Sequence, residues 1–275
     1  MKTREHELHH RRQKAHIRYP VSMGQKFYSI FALPILTVVV MLVVLSIVST
    51  IHPVLISSLS IPTLMYATLA TVGRLAIAYV LAVIFAIPLA ILATHTKFFQ
   101  VTLLPLFDVL QSVPILVLFP VIILVFIRFG NLNGAAIFIL FISMLWSIVF
   151  TVVGGIQIIP KDITYAAQIF GIKKFDYVRK VILPAIVPEL VTGSILSVGA
   201  GWNLIIIAEV LHTYIPGGTS AQDLFGIGDI LVSAAAHGQN ELFLVATAIM
   251  VVVIALFNFF VWQKLLHYAQ RFKFD

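Results

Sequence analysis

Long apolar runs separated by short polar stretches dominate this chain. Six can be drawn, over residues 27–48, 64–93, 101–127, 135–156, 185–210 and 242–266. Each is long enough to cross a bilayer core, which takes roughly 20 apolar residues as a helix. The runs are continuous rather than alternating, so they predict helices and not the strands of a membrane barrel. The third run carries Pro105, Pro114 and Pro120 and is expected to be interrupted. The fold class expected is an all-α polytopic membrane protein with about six transmembrane helices.

Composition agrees with that pattern. Of 275 residues, 60% are hydrophobic and 11% charged, and the mean hydropathy is +1.05. A soluble domain does not have this balance. There is no cysteine, which excludes disulfide and thiolate chemistry. The polar lead 1–26 and the apolar stretch 27–51 read as a basic tail and a retained first helix, because no small-residue cleavage site follows. His6, His9, His10 and His16 lie in that tail. They read as a solvated tail rather than a metal site, since nothing packed would fix ligand geometry.

The net charge of +7 matters through its placement, not as a sign of nucleic acid, and no nucleic-acid partner is expected. Basic residues fill the tail, Lys97, the segment Lys161 to Lys180, and the end from Lys264 to Lys273. All but Arg74 and Arg128 of the 18 Lys and Arg fall on one side of a six-span topology. The positive-inside rule then places both termini in the cytoplasm, in a multi-pass protein of the cell (inner or plasma) membrane. The opposite connection, 211–240, has no Lys or Arg and is too long for a structureless link. It is expected to carry a short re-entrant or interfacial helix, with Asp229 as N-cap and Gly238 just past its end.

One polar stretch stands out, residues 162–184, most of it in "TYAAQIFGIKKFDYVRKVILPA", Thr164 to Ala185. A short helix over 163–170 is broken by Gly171. Ile172, Phe175, Val178 and Ile182 then recur at helical spacing, with Lys173, Lys174, Asp176, Arg179 and Lys180 around the other faces. Ala166 and Ala167 keep one side low, as close docking requires. An amphipathic helix resting on anionic lipid fits the same pattern equally well. No phosphate-binding G-x-x-x-x-G-K-[ST] loop exists, no catalytic set stands out, and no metal site is expected. The chain is therefore not read as an enzyme.

These residues resemble the cytoplasmic loop of binding-protein-dependent ABC importer permeases. That family carries E-A-A, three residues, Gly, nine residues, then I-x-L-P. Here Ala166, Ala167 and Gly171 match, and Val181, Leu183 and Pro184 stand at the far end, with Tyr165 where the family has Glu. The flanking runs, "TLATVGRLAIAYVLAVIFAIPLAILATHTKFFQ" and "VTGSILSVGAGWNLIIIAEVL", look like the nitrate/sulfonate/taurine-type branch. The resemblance implies a MetI-like permease core over 63–268. Tyr165, Ala166, Ala167, Gly171, Ile172, Lys173, Lys174, Phe175 and Pro184 would form its ATPase-coupling segment. It also implies two cytoplasmic ABC ATPase subunits, a second permease subunit (identical or paired), an external solute-binding protein and a small anionic solute. ATP and Mg would bind the ATPase partners and no cofactor this chain.

Polar residues inside apolar spans are costly and serve as functional candidates. Arg74 is expected to snorkel or to pair within the subunit. Gln111, Ser112 and Pro114, at an expected helix break, and Trp202, Asn203 and Glu209, late in the fifth run, are candidates for the translocation path. Glu209 alternatively caps its helix. Gly193, Ser197 and Gly201 form a four-residue ridge for close helix packing. The competing classes are a transporter driven by an ion gradient, which would show internal repeats and midplane ionisable residues, and an intramembrane enzyme.

Overall fold

Backbone groups in hydrocarbon must pair within their own segment, and the chain meets this with helices throughout the described residues. The structure, a computed structural model, describes residues 61–172 and 175–272. The tail 1–26, the first run 27–51, and Lys173 and Lys174 lie outside the described residues. The helices are α1 (Ile61–His95), α2 (Lys97–Ser112), α3 (Ile115–Arg128), α4 (Leu132–Gln157) and α5 (Lys161–Ile169). They continue as α6 (Val187–Glu209), α7 (Ile227–Ala236) and α8 (Asn240–Phe257), the last running on through a π-helical turn, Asn258–Trp262. The apolar helices Ile61–His95, Leu132–Gln157, Val187–Glu209 and Asn240–Phe272 are each long enough to cross a membrane.

The third run is broken differently from what its prolines predict. Pro105 and Pro120 sit inside helices α2 and α3. Only Val113–Pro114 parts them, at a bend of 85°. Pro114 lacks the N–H to continue α2 and serves as N-cap of α3. Two side-chain caps fix the neighbouring turns. Thr96 accepts from the Phe99 N–H (3.3 Å) before α2, and Asn131 accepts from Gly134 N–H (2.9 Å) before α4.

α4 is the centre of the bundle, packed on α1 from one side and α6 from the other. α1 presents Ala78, Ala82, Ala86 and Ala90 as a fully buried stripe at four-residue spacing. The small side chains let α4 approach closely, and α4 contributes Ile139, Leu140, Met144, Ile148 and Val149 to the core between α1 and α6, all buried. The other side of α4 meets the small ridge of α6. A Cβ on Gly193 would overlap Thr151, and one on Gly201 would overlap Met144. Ser197 is buried between them. Gly193→Val should therefore cost about 1–3 kcal/mol by overpacking. Thermal unfolding of the purified chain checks this, with Gly199→Val, where a Cβ meets open space, as the matched control.

α7 begins at Ile227 with Gly226 as N-cap, so Asp229 lies in its first turn and is not its cap. The backbone of 226–228 is drawn inward to meet Glu209, which starts the helix early. At its other end Gly238 has φ +66°. Gln239 N–H donates to Ala234 O (2.9 Å) and Gly238 N–H to Ala235 O (3.3 Å), the paired bonds of a Schellman stop.

Candidate functional site

Two places in the fold concentrate polar chemistry, one at each end of α6. The first is built around Glu209, the last residue of α6, whose side chain is wholly buried. Its Oε1 accepts from Arg74 Nη1 (2.6 Å) and Thr71 Oγ1 (2.8 Å). Its Oε2 accepts from Gly228 N–H (2.8 Å), and its carbonyl from Leu224 N–H (2.8 Å). Arg74 spends its remaining reach on Asn133 Oδ1 (2.9 Å, from Nε) and Phe225 O (3.0 Å, from Nη2). Thr71 Oγ1 in turn accepts from Ile227 N–H (2.9 Å). Thr71 and Arg74 stand three apart on α1, so both reach the same spot.

This knot fastens α1, α4 and α6 to the segment leading into α7. It needs glycine at two positions. A Cβ on Gly226 would overlap the Glu209 carboxylate, and one on Gly228 would come 2.7 Å from Ile206 Cα. Beside it, His212 Nδ1 stands 2.6 Å from Asp223 Oδ2, and the His212 N–H donates to Asp223 Oδ1 (3.0 Å). A buried carboxylate with a guanidinium, a hydroxyl and a backbone N–H is a saturated structural site. Arg74 thus pairs within the subunit, and its partner is Glu209.

The other late residues of α6 separate by face. Trp202 is buried in the core, whereas Asn203 is exposed. Asn203 shares its exposed face with Thr192, Leu196 and Gly199. Gln111 and Ser112 are exposed at the end of α2 and tied locally. Gln111 Nε2 donates to Asp108 Oδ1 (2.8 Å), and Ser112 Oγ donates to Asp108 O (2.7 Å). Pro114 is exposed at the bend.

The second place is the polar segment before α6. α5 ends in a second Schellman stop. Gly171 N–H donates to Gln168 O (3.0 Å) and Ile172 N–H to Ala167 O (2.9 Å), with Gly171 at φ +70°. The chain returns through Phe175–Tyr177, a π-turn Val178–Ile182, and Leu183–Ala185 around Pro184. The Thr164 and Tyr177 hydroxyls lie 3.1 Å apart and tie the two arms. Ala167 is buried, and Tyr165 and Ala166 face outward. At the turn, Ile169, Phe170 and Phe175 are 84%, 80% and 76% exposed. Three large apolar side chains are thus bared around one turn. Ile169 and Phe170 were not singled out by spacing. Their signal was their place beside the breaking Gly171.

Residues 82–267 match the family described as binding-protein-dependent transport system inner membrane component. The chain belongs to this family. Among similar proteins is a nitrate import permease protein of Leptolyngbya laminosa, 34% identical over 62% of this chain and 57% of its own length. A bicarbonate transport system permease protein of Synechococcus elongatus is 32% identical, over 56% of this chain and 54% of its own. A taurine transport system permease protein of Escherichia coli is 26% identical, over 52% and 50%. The chain spans about half the length of these curated relatives. The family membership and the apolar spans make this a membrane-embedded transport component.

Proposed function

We propose that this chain is the pore-forming permease subunit of an ATP-driven importer for a small anion, and that residues 162–184 dock cytoplasmic ATPases. The observation that carries this reading is the bared turn, with Ile169, Phe170 and Phe175 around Gly171. Its spacing to Pro184 supports the same assignment. ATP and Mg act on the ATPase partners. Their closure pulls on the turn, and the motion enters α6 through Val178–Ile182 and Pro184. The termini and this turn are cytoplasmic, and the Glu209 knot is on the outer side, where a solute-binding protein delivers its cargo. A second permease subunit completes the pore.

The face of α6 with Thr192, Gly199 and Asn203 lines the path with Gln111 and Ser112, because a polar side chain bared on a span is costly against lipid. The substrate class follows the nitrate, bicarbonate and taurine relatives. Arg74 is already committed to Glu209, so hydrogen-bond donors rather than that cation meet the anion.

The test uses the absence of native cysteine. Phe175→Cys supplies a single thiol at the turn. It is expected to crosslink to an ATPase co-expressed from a neighbouring reading frame, and to do so less when uptake is arrested in a different nucleotide state. Uptake that continues without any ATPase, with no crosslink formed, overturns the reading.

A further inference from the structure

One of the cavities against the polar segment combines cations with apolar walls. It has a volume of about 330 Å³ and lies where the return arm of that segment meets the end of the last helix. Ile163, Val181, Pro184, Ala185 and Phe272 give it apolar walls. Lys180 and Arg271 supply its charge from two different elements. Both cations belong to exposed residues. Lys180 has one loose partner, Asp176 at 3.5 Å, with both side chains more than half exposed. That contact is weak and leaves the ammonium available.

We propose that this cavity binds the headgroup of an anionic phospholipid, with the phosphate between Lys180 and Arg271 and the glycerol end against the apolar walls. Three observations converge. Part of the apolar wall, Pro184 and Ala185, leads directly into α6, which is long and apolar enough to cross a membrane. Two cations from separate elements converge on a space of headgroup size, as basic pockets at the cytoplasmic edge of membrane proteins do. A free phosphate would leave the apolar walls unmatched, whereas an amphiphile satisfies both parts. The lining joins the return arm of the coupling segment to the carboxyl-terminal end of the chain. A bound lipid therefore braces the element that moves with the ATPases. The inference rests on the cytoplasmic placement of this segment proposed above.

The experiment measures lipid retention on the full-length chain. The protein is purified from bilayer discs holding equal parts of phosphatidylglycerol and phosphatidylcholine, and retained lipid is read by native mass spectrometry. Phosphatidylglycerol is expected to be retained preferentially. The Lys180→Gln/Arg271→Gln double variant should lower that preference on the order of thirtyfold, the combined attraction of two surface cations for an anionic headgroup. Lys180→Arg/Arg271→Lys should keep it. Inorganic phosphate in excess should not displace the lipid.

Equal retention of the two lipids, or no change in the Gln variant, overturns the proposal. Displacement by inorganic phosphate also overturns it and makes the cavity a free-anion site. Co-purification of the ATPase with the Gln variant is read in parallel. Loss of ATPase with lipid preference intact assigns the cavity to the partner protein and overturns the lipid site. Loss of lipid preference with ATPase retained supports it. Failure of wild-type protein to bind any ATPase counts against the importer reading alone.

Discussion

Glu209→Ala is expected to destabilise the protein by about 3–5 kcal/mol, the usual effect of removing one partner from a buried ion pair. The cause is less the lost attraction than what stays behind. Arg74 is buried, and without Glu209 its guanidinium keeps, among the described residues, the Asn133 and Phe225 oxygens. The Gly228 N–H loses its acceptor as well, and the Thr71 hydroxyl falls back on Ala67 O (3.1 Å). The segment entering α7 is held largely by these bonds, so it should loosen first. Limited proteolysis between Leu211 and Gly226 should speed up before global unfolding does. Glu209→Gln keeps one acceptor oxygen, enough for either Thr71 or Gly228 but not both, and leaves Arg74 without a counter-charge, so it should fall between wild type and Glu209→Ala. The double replacement Arg74→Met/Glu209→Leu should recover much of the loss, because it removes both buried charges together. Thermal unfolding in lipid discs orders the four proteins. A Glu209→Ala protein as stable as wild type would show that the knot contributes nothing net.

That knot marks the limit of what the sequence could reveal. Apolar length placed the helices of the described residues to within a few residues, because bilayer thickness leaves few choices. Intrahelical spacing likewise showed the Gly171 turn and the Gly193–Gly201 ridge, since both are local. The partnership of Arg74 and Glu209 joins residues 135 positions apart, and no periodicity links them. Snorkelling or pairing within the subunit was expected of Arg74 on cost alone; the choice between them and the identity of the partner were not legible. Gly226 and Gly228 read only as loop glycines until the carboxylate was seen against them. Trp202 and Asn203 had stood together as candidates. Adjacent residues on a helix differ by about 100°, and burial divides them. The break expected at Pro114 is there, but its sharpness, the tolerance of Pro105 and Pro120 inside helices, and the π-turn before α6 depend on packing and could not be read from the run.

Gly171→Val is expected to abolish coupled uptake while leaving the spans inserted and folded. Gly171 adopts φ +70°, where a β-branched side chain strains the backbone by about 1–3 kcal/mol. Space is not the obstacle, since a Cβ there meets nothing within 4 Å. The strain acts on two bonds, Gly171 N–H to Gln168 O and Ile172 N–H to Ala167 O, which together stop α5 and turn the chain. If they open, the turn that bares Ile169, Phe170 and Phe175 is lost, and the proposed partner loses its apolar surface. The shift in turn population is about five- to over a hundredfold for that range of strain. Gly171→Asn separates backbone from side-chain effects, because Asn tolerates the left-handed region better. It should retain more uptake than Val although its side chain is of similar size. Uptake into proteoliposomes, measured with ATP hydrolysis on the same preparations, distinguishes the outcomes. Val should lower uptake more than hydrolysis, and Asn should lie near wild type. Equal and near-normal uptake in both variants would mean that the turn's left-handed geometry is dispensable for coupling.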